Sequence, residues 1–335
     1  MSKRRVIAVA FATALAVIAS ASAGRAEVSE VRFARQLGLG YLQLYVMQEQ
    51  QLIEKRGAEA GLKLTAAYIP LGSPSAINDA LLSGSADYAA SGVPPFVVLW
   101  DKTRGNIQVK GVAALNGQPV FLNSNKPSLR SLKDFTERDR IALPSVKVSF
   151  QAIALEMAAE QTFGRGQHER LDHLTVSLAH PDGTAALLGG RSEITAHFTS
   201  APFQYQQLQD PKIHRVLSSY DVTGPATFSA ISTTTKFRAT NPQVYKIVLA
   251  ALDEATTFIG AHPAEAAQIF AKIDRSTLPE PFLVSMLTDK DIFYSTTPQG
   301  IQKITDFMSR TGSIKATPAS WQDLFFPEVH DKPGS

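Results

Sequence analysis

The chain has 335 residues, 44% of them hydrophobic and 19% charged, enough apolar material for one large domain or two moderate ones and too much for a disordered chain. It has no cysteine, which excludes a disulfide framework, a cysteine-ligated zinc, an iron–sulfur cluster and a cysteine nucleophile. The formal charge of +3 is misleading. Residues 1–26 hold Lys3, Arg4, Arg5 and Arg25 and no acid, so the remainder carries 29 basic against 30 acidic residues and offers no basic field for nucleic acid.

Those 26 residues read as an export signal. Lys3-Arg4-Arg5 precede an apolar run from Val6 to Ile18, followed by small residues from Ala19 to Ala23 and by Gly24-Arg25-Ala26. The run is short of the ~20 residues that a membrane span needs. Cleavage is expected after Ala26, with Ala23 as the other candidate. No cysteine follows the run to carry a lipid, so the product is expected to be soluble in a bacterial periplasm, where a cysteine-free chain folds without oxidation.

Val28–Arg35 reads as a first strand, Leu37–Tyr41 as a glycine-bearing loop, and Leu42–Arg56 as one helix, with Leu42, Tyr45, Val46, Leu52 and Ile53 on the 3.6-residue period. A strand is expected over Leu62–Ile69. Ser73-Pro74 is an N-cap with proline at the first helical position, opening a helix to about Leu82. A short strand Asp87–Ala90, a loop Ser91–Pro95 and a helix Phe96–Lys102 follow. Strands alternating with helices indicate βαβ units and a parallel sheet. The same grammar restarts after residue 120. It gives a strand Ile141–Leu143, a loop Pro144–Ser149, a helix Phe150–Phe163, a strand Leu174–Leu178 and a helix opened by His180-Pro181-Asp182-Gly183. A strand Glu193–His197 and a helix Phe203–Leu208 complete it. Ala80–Tyr88 and Ala186–Ile194 echo each other, with Gly84 matching Gly190 and Asp87 matching Glu193, as two similar α/β lobes would. The last third reads as mostly helical. Asn241-Pro242 opens an amphipathic helix, and Pro263, Pro298 and Pro318 are placed in the first turns of further helices. Leu324-Phe325-Phe326-Pro327 is expected to be exposed.

Motifs for catalysis are absent. Gly38-Leu39-Gly40 has Gln43 where a dinucleotide fingerprint needs its third glycine. No P-loop and no Gly-x-Ser-x-Gly elbow occurs. His168-Glu169 lacks the second histidine of a zinc-protease helix. No catalytic residue, metal or cofactor is therefore assigned. What remains is a set of loops that feed helix starts: Gly72-Ser73, Ser91-Gly92 and Ser145–Ser149. Helix starts offer free N–H groups and about half a positive charge, which suit an anion. Lys147 is the cation inside such a loop. Tyr41, Phe96, Phe150, Phe198 and Phe228 lie in or beside loops and could pack in the core or face the organic part of a ligand.

Four stretches, Leu71–Gly92, Ile141–Gln151, His180–Phe203 and Asn241–Ala255, resemble the periplasmic solute-binding proteins of ABC importers, specifically the NMT1/THI5-like group of nitrate, taurine and alkanesulfonate binders. The resemblance implies an α/β, two-lobed periplasmic-binding-protein fold. Each lobe would be a mostly parallel sheet flanked by helices, and two strands near Ala113–Phe121 and Gly224–Ser232 would cross between them. Lobe one would be residues 27–115 and 230–335, lobe two residues 116–229, with positions near 115 and 230 adjacent in space. It implies a non-enzymatic monomer that captures a small anion and delivers it to a membrane permease and its ATPase. Touching the membrane only through that permease, it would bind no nucleic acid. A periplasmic module presenting ligand to a sensor is the alternative. A pyrimidine-related enzyme on the same fold would need a cysteine-rich iron motif. Carried over by position, the ligand-binding residues would be Tyr41, Leu42, Gly72, Ser73, Ser91, Gly92, Val93, Ser145, Ser149, His197, Phe198, Thr199 and Thr227, with Lys147 added for its charge. Two departures, the bulky Pro144–Ser149 loop and His197-Phe198-Thr199 in place of Trp-Glu-Pro, make another small organic anion as plausible as a sulfonate.

Overall fold

The computed structural model describes residues 26–190 and 192–335; residues 1–25, all but the last residue of the expected export signal, and Arg191, part of the echo, lie outside them. Two sheets hold the strands. The first contains β1 (Glu30–Arg35), β2 (Thr65–Pro70), β3 (Tyr88–Gly92), β4 (Val109–Gly117), β10 (Thr227–Thr234) and β11 (Phe293–Tyr294), in the order β11-β4-β10-β3-β1-β2. The second contains β5 (Phe121–Ser124), β6 (Ile141–Leu143), β7 (Thr175–Ser177), β8 (Ala196–Thr199) and β9 (His214–Ser218), in the order β7-β6-β8-β5-β9. β1 runs parallel to β2 and β3, and β6 runs parallel to β7 and β8. An antiparallel strand then follows in each sheet, β10 beside β3 and β5 beside β8. The sequence echo marks this shared order: each echoed helix ends on a left-handed glycine, Gly84 at φ 75° and Gly190 at φ 60°, before its strand.

The chain passes from the first sheet to the second between Gly117 and Phe121 and returns between Ser218 and Thr227. β4 and β10 pair antiparallel, with Ala114 opposite Ala230. The segments expected to cross between lobes are therefore mostly central strands of the first sheet, and the passage itself is short.

The helices that position the loops follow local chemistry. α1 (Leu42–Glu49) and α2 (Leu52–Glu59) replace the single helix expected there. Gln51 takes a left-handed φ of 53°, because α1 is buried over Leu42–Met47 whereas α2 buries only Leu52, Ile53 and Gly57 and must turn to do so. α3 (Pro74–Ser83) is capped by Ser73, whose Oγ accepts the Ala76 N–H at 3.3 Å. α4 (Val93–Thr103) starts earlier than expected. Pro94 and Pro95 fill its first turn, where a missing N–H costs nothing, and Ser91-Gly92 close β3. α5 (Phe150–Phe163) is buried over its first ten residues and is capped by Ser149. α6 (His180–Gly189), α7 (Phe203–Gln207) and α8 (Tyr220–Thr223) complete the second sheet's surroundings. α9 (Thr235–Thr240), α10 (Pro242–Ala261), α11 (Pro263–Asp274), α12 (Glu280–Leu287) and α13 (Ile301–Thr311) pack with the first.

Three expectations fail here. Pro298 and Pro318 start no helix: α13 opens three residues after Pro298, behind Gly300 at φ 63°, and only a short 3-10 turn, Trp321–Leu324 behind Ser320, follows Pro318. Leu324–Phe326 is buried, not exposed, because Gly111 leaves a slot in β4 that Phe325 fills, edge-on to Phe96 at 5.4 Å and Trp321 at 6.0 Å. A slot made by one distant glycine leaves no periodic trace in the segment that fills it.

α5, which follows β6 of the second sheet, is tied to α13 of the first by a forked ion pair. Arg310 donates to Glu160 at 3.0 and 2.5 Å, and Glu160 also accepts the Gly166 N–H at 3.0 Å. These bonds, led by the Arg310 guanidinium, hold the Glu160 carboxyl down to about 2. A carboxyl depressed on folding stabilises above its unfolded pKa and loses that contribution as pH falls through the folded one. Arg310→Ala should therefore cost about 0.5–1 kcal/mol at pH 6. The melting-temperature gap between wild type and variant should close as pH falls from about 4.5 towards 2; a gap constant with pH would remove the pair from the stability account.

Candidate functional site

In open α/β sheets ligands lie beyond the carboxyl ends of the strands. Here the loops at those ends of both sheets meet. The Leu39 N–H, after β1, donates to the Ala201 carbonyl, after β8, at 3.0 Å. Ser75 and Ser145, from the starts of α3 and the loop after β6, bring their Oγ atoms to 3.3 Å. A methyl group on Gly72 would sit 3.4 Å from Ala179 Cβ, and one on Gly92 would sit 3.3 Å from Phe150 Cβ. At Gly92 that is tighter than an ordinary contact, so glycine there lets the two halves approach; at Gly72 it is an ordinary contact distance.

Three aromatic rings line the meeting line. Phe228, on β10, is edge-on to Phe150 at 5.2 Å and 6.3 Å from Tyr41. Gly40 is pressed between Phe228 and Gln118: a methyl group there would lie 2.7 Å from the ring and 2.9 Å from Gln118 Nε2. Three buried glutamines belong to these segments, each no more than 3% exposed: Gln36 and Gln118 follow β1 and β4, and Gln151 stands next to Phe150 in the first turn of α5. Gln36 Oε1 accepts the Tyr41 hydroxyl at 2.9 Å, and Gln118 Oε1 accepts the Ala201 N–H at 3.2 Å. An amide N–H can only donate, which fixes the Gln118 carboxamide with its NH2 turned away. The Nε2 atoms of all three glutamines are buried without a partner in the protein. An unpaired buried donor is costly, so three near one seam mark a place built to meet acceptors.

Residues 26–274 of the chain match the NMT1-like family. The chain belongs to the NMT1-like family. No curated protein sequence matches it. Among solved structures it is similar to the alkanesulfonate-binding protein SsuA from Xanthomonas axonopodis pv. citri bound to MOPS, at 15% identity and a TM-score of 0.71 over 90% of this chain and 99% of that one. It is also similar to the periplasmic aliphatic sulphonate binding protein SsuA from Escherichia coli (17%, TM-score 0.66, 90% and 92%). A third is the periplasmic nitrate-binding protein NrtA from Synechocystis PCC 6803 (15%, TM-score 0.70, 89% and 85%). At such identities the likeness is one of fold: this NMT1-like chain has the periplasmic-binding-protein architecture.

Within this NMT1-like chain, the residues singled out by sequence divide into three groups. Tyr41, Gly72, Gly92 and Ser145 lie on the meeting line through the contacts above. Ser91 is buried beside them, its Oγ making only a long 3.4 Å contact to the Gly92 carbonyl, and Val93 begins α4. Ser73 and Ser149 stand at the same helix starts, but their hydroxyls are engaged as caps; Ser149 Oγ also donates to the Ser145 carbonyl at 2.7 Å.

The remaining residues point elsewhere. Leu42 and Phe198 are core. Thr227 Oγ1 accepts the Gln299 N–H at 2.9 Å. His197 lies under α6, against Gly183, with Nδ1 2.6 Å from Gln207 Nε2. Thr199 Oγ1 is 2.7 Å from His180 Nδ1. Lys147 has a left-handed φ of 63° and a side chain about two-thirds exposed, its Nζ 3.7 Å from Glu169; the structure does not bring it to the glutamines. Sequence reasoning missed Gln36, Gln118 and Gln151. The available signal was positional: Gln36 and Gln118 directly follow β1 and β4, and Gln151 is the second residue of α5.

Burial also tunes three ionisable groups nearby. His180, stacked on Phe203 at 5.5 Å, is lowered to about 4 by desolvation, and His197 is lowered well below the usual imidazole range by the same cause, with His180 adding. Both are neutral at pH 7. Glu156 on α5 is raised to about 8 by burial, then by Asp172 and Glu169, against a smaller opposing effect of Lys147. A histidine depressed on folding binds fewer protons than in the unfolded chain, so its contribution is complete above about 6.5 and falls as pH drops towards 4. A carboxyl raised on folding does the opposite: its contribution is complete below about 4.5 and is lost as pH rises towards 8. Glu156→Gln should therefore raise the melting temperature at pH 8 while leaving pH 5 nearly unchanged, with the acid-side loss intact. An equal shift at both pH values would show that Glu156 is not protonated in the folded protein.

Proposed function

We propose that this protein is the periplasmic solute-binding component of an ABC importer, which captures a small ligand between two lobes and delivers it to a membrane permease driven by its ATPase. Residues 27–115 and 230–335 form lobe one, and residues 116–229 form lobe two. The single observation that carries the reading is the set of buried, unpartnered carboxamide donors where the carboxyl ends of two sheets meet. Family membership and the architecture shared with sulfonate- and nitrate-binding proteins support it. The signal-like residues 1–26 support export, and among the described residues no helix is long and apolar enough to cross a membrane. The protein acts by binding alone: a hinged closure over ligand, with the two short passages between the sheets as hinges.

A ligand that binds only the folded state stabilises it by mass action, by about 2.7 kcal/mol at a hundredfold excess over Kd. A thermal-shift screen of nitrate, taurine, alkanesulfonates, carboxylates and pyrimidine-like compounds should return a compound that raises the melting temperature in a concentration-dependent way and is recovered unchanged. Conversion of that compound into product would overturn the reading.

A further inference from the structure

We propose that the ligand presents an uncharged carbonyl-type acceptor, an amide, lactam or urea, to the carboxamides of Gln36, Gln118 and Gln151, with the rings of Tyr41, Phe150 and Phe228 against its flat apolar part. This rests on the solute-binding reading above and gives its small ligand a class, a neutral acceptor, in place of the anion expected from the sequence.

The seam offers donors and little charge. In Gln118 the carbonyl oxygen is engaged by the Ala201 N–H, which can only donate, so what it offers is N–H; Gln36, with Oε1 on the Tyr41 hydroxyl, has its Nε2 likewise without a partner. Gln151 adds a third unpartnered NH2 from the first turn of a fourteen-residue helix. The ligand must therefore bring acceptors to these points.

The cations that an anion would need are few. Lys147 faces solvent beside Glu169. Arg35, the buried cation behind Gln36, lies with its guanidinium 3.7 Å over the Tyr45 ring, and the Tyr45 hydroxyl is hydrogen-bonded to Asp274 at 2.8 Å. No direct ion pair joins Arg35 to Asp274, whose carboxylate acts on it across Tyr45, and Arg35 Nε is itself buried without a partner. His180 is buried and neutral.

The helix starts do not make up the difference. Pro94 and Pro95 remove two of the first N–H groups of α4, and Ser149 Oγ takes the Ala152 N–H of α5. An anion buried here would have only Arg35, next to Gln36 and stacked on Tyr45, to compensate its desolvated charge, whereas a carbonyl oxygen needs only one or two of these donors.

Two measurements test this. The first needs no ligand. Gln151→Leu and Gln151→Met replace an unpartnered buried amide by an apolar chain of similar size, so the ligand-free melting temperature should hold or rise. A fall of more than about 3 °C in both variants would make the amide structural and overturn the proposal. The second uses matched probes, benzamide against benzoate and 2-pyrrolidone against ethanesulfonate, by calorimetry at about 20 and about 300 mM salt. The neutral member of each pair should bind more tightly, with Kd unchanged by salt, and Gln151→Leu should weaken it by about tenfold or more. Tighter binding of benzoate or ethanesulfonate would sink the neutral-ligand proposal while leaving the solute-binding reading intact. Binding of neither member of either pair would count against both.

Discussion

The fold turns on one pairing. β4 and β10 lie side by side and antiparallel in the first sheet, and everything that builds the second sheet is inserted between the end of one and the start of the other. Because both passages leave from the same pair of strands, the second sheet is held by two short, adjacent connections. It repeats the strand order of the first, β7-β6-β8-β5 against β2-β1-β3-β10, so its carboxyl ends face those of the first across one seam. Parallel strands require crossover helices, and the starts of those helices then converge. The meeting of Gly72 with Ala179, Ser75 with Ser145 and Gly92 with Phe150 follows from that topology.

Much of this was legible in the sequence because it depends on local rules. Ser73-Pro74 opens α3, and the bounds of β6 and α5 fall where periodicity and the Ser149 cap put them. The echo over Ala80–Tyr88 and Ala186–Ile194 carried the duplicated topology, since a glycine stop and a strand recur at one offset. What local rules could not show depends on contacts distant in sequence. The break at Gln51 reflects how differently α1 and α2 are buried, and the burial of Phe325 depends on Gly111.

The candidate site divides the same way. Loops at strand ends are readable, but side-chain direction is not. Lys147 stands in the expected loop, yet a left-handed backbone turns it towards Glu169 and solvent. The hydroxyls of Ser73 and Ser149 have the right place, and are held as helix caps. The donors left over belong to glutamines, a residue type ordinarily found at the surface. Buried carboxamide atoms without partners also occur at Gln43, Asn116 and Asn123, but those are carbonyl oxygens; in Gln36, Gln118 and Gln151 the free atom is the donor Nε2, a distinction that exists only once the chain is folded.

The central claim is that two lobes close on a ligand along this seam. The chain has no cysteine, so single cysteines at the exposed Leu82 on α3 and Leu188 on α6 would be the only labelling sites. Electron–electron distance measurement between spin labels at those positions reads the closure directly. With the stabilising compound from the thermal screen, the distance distribution should narrow and shift to a single, shorter mean. A distribution unchanged by saturating compound would contradict the account.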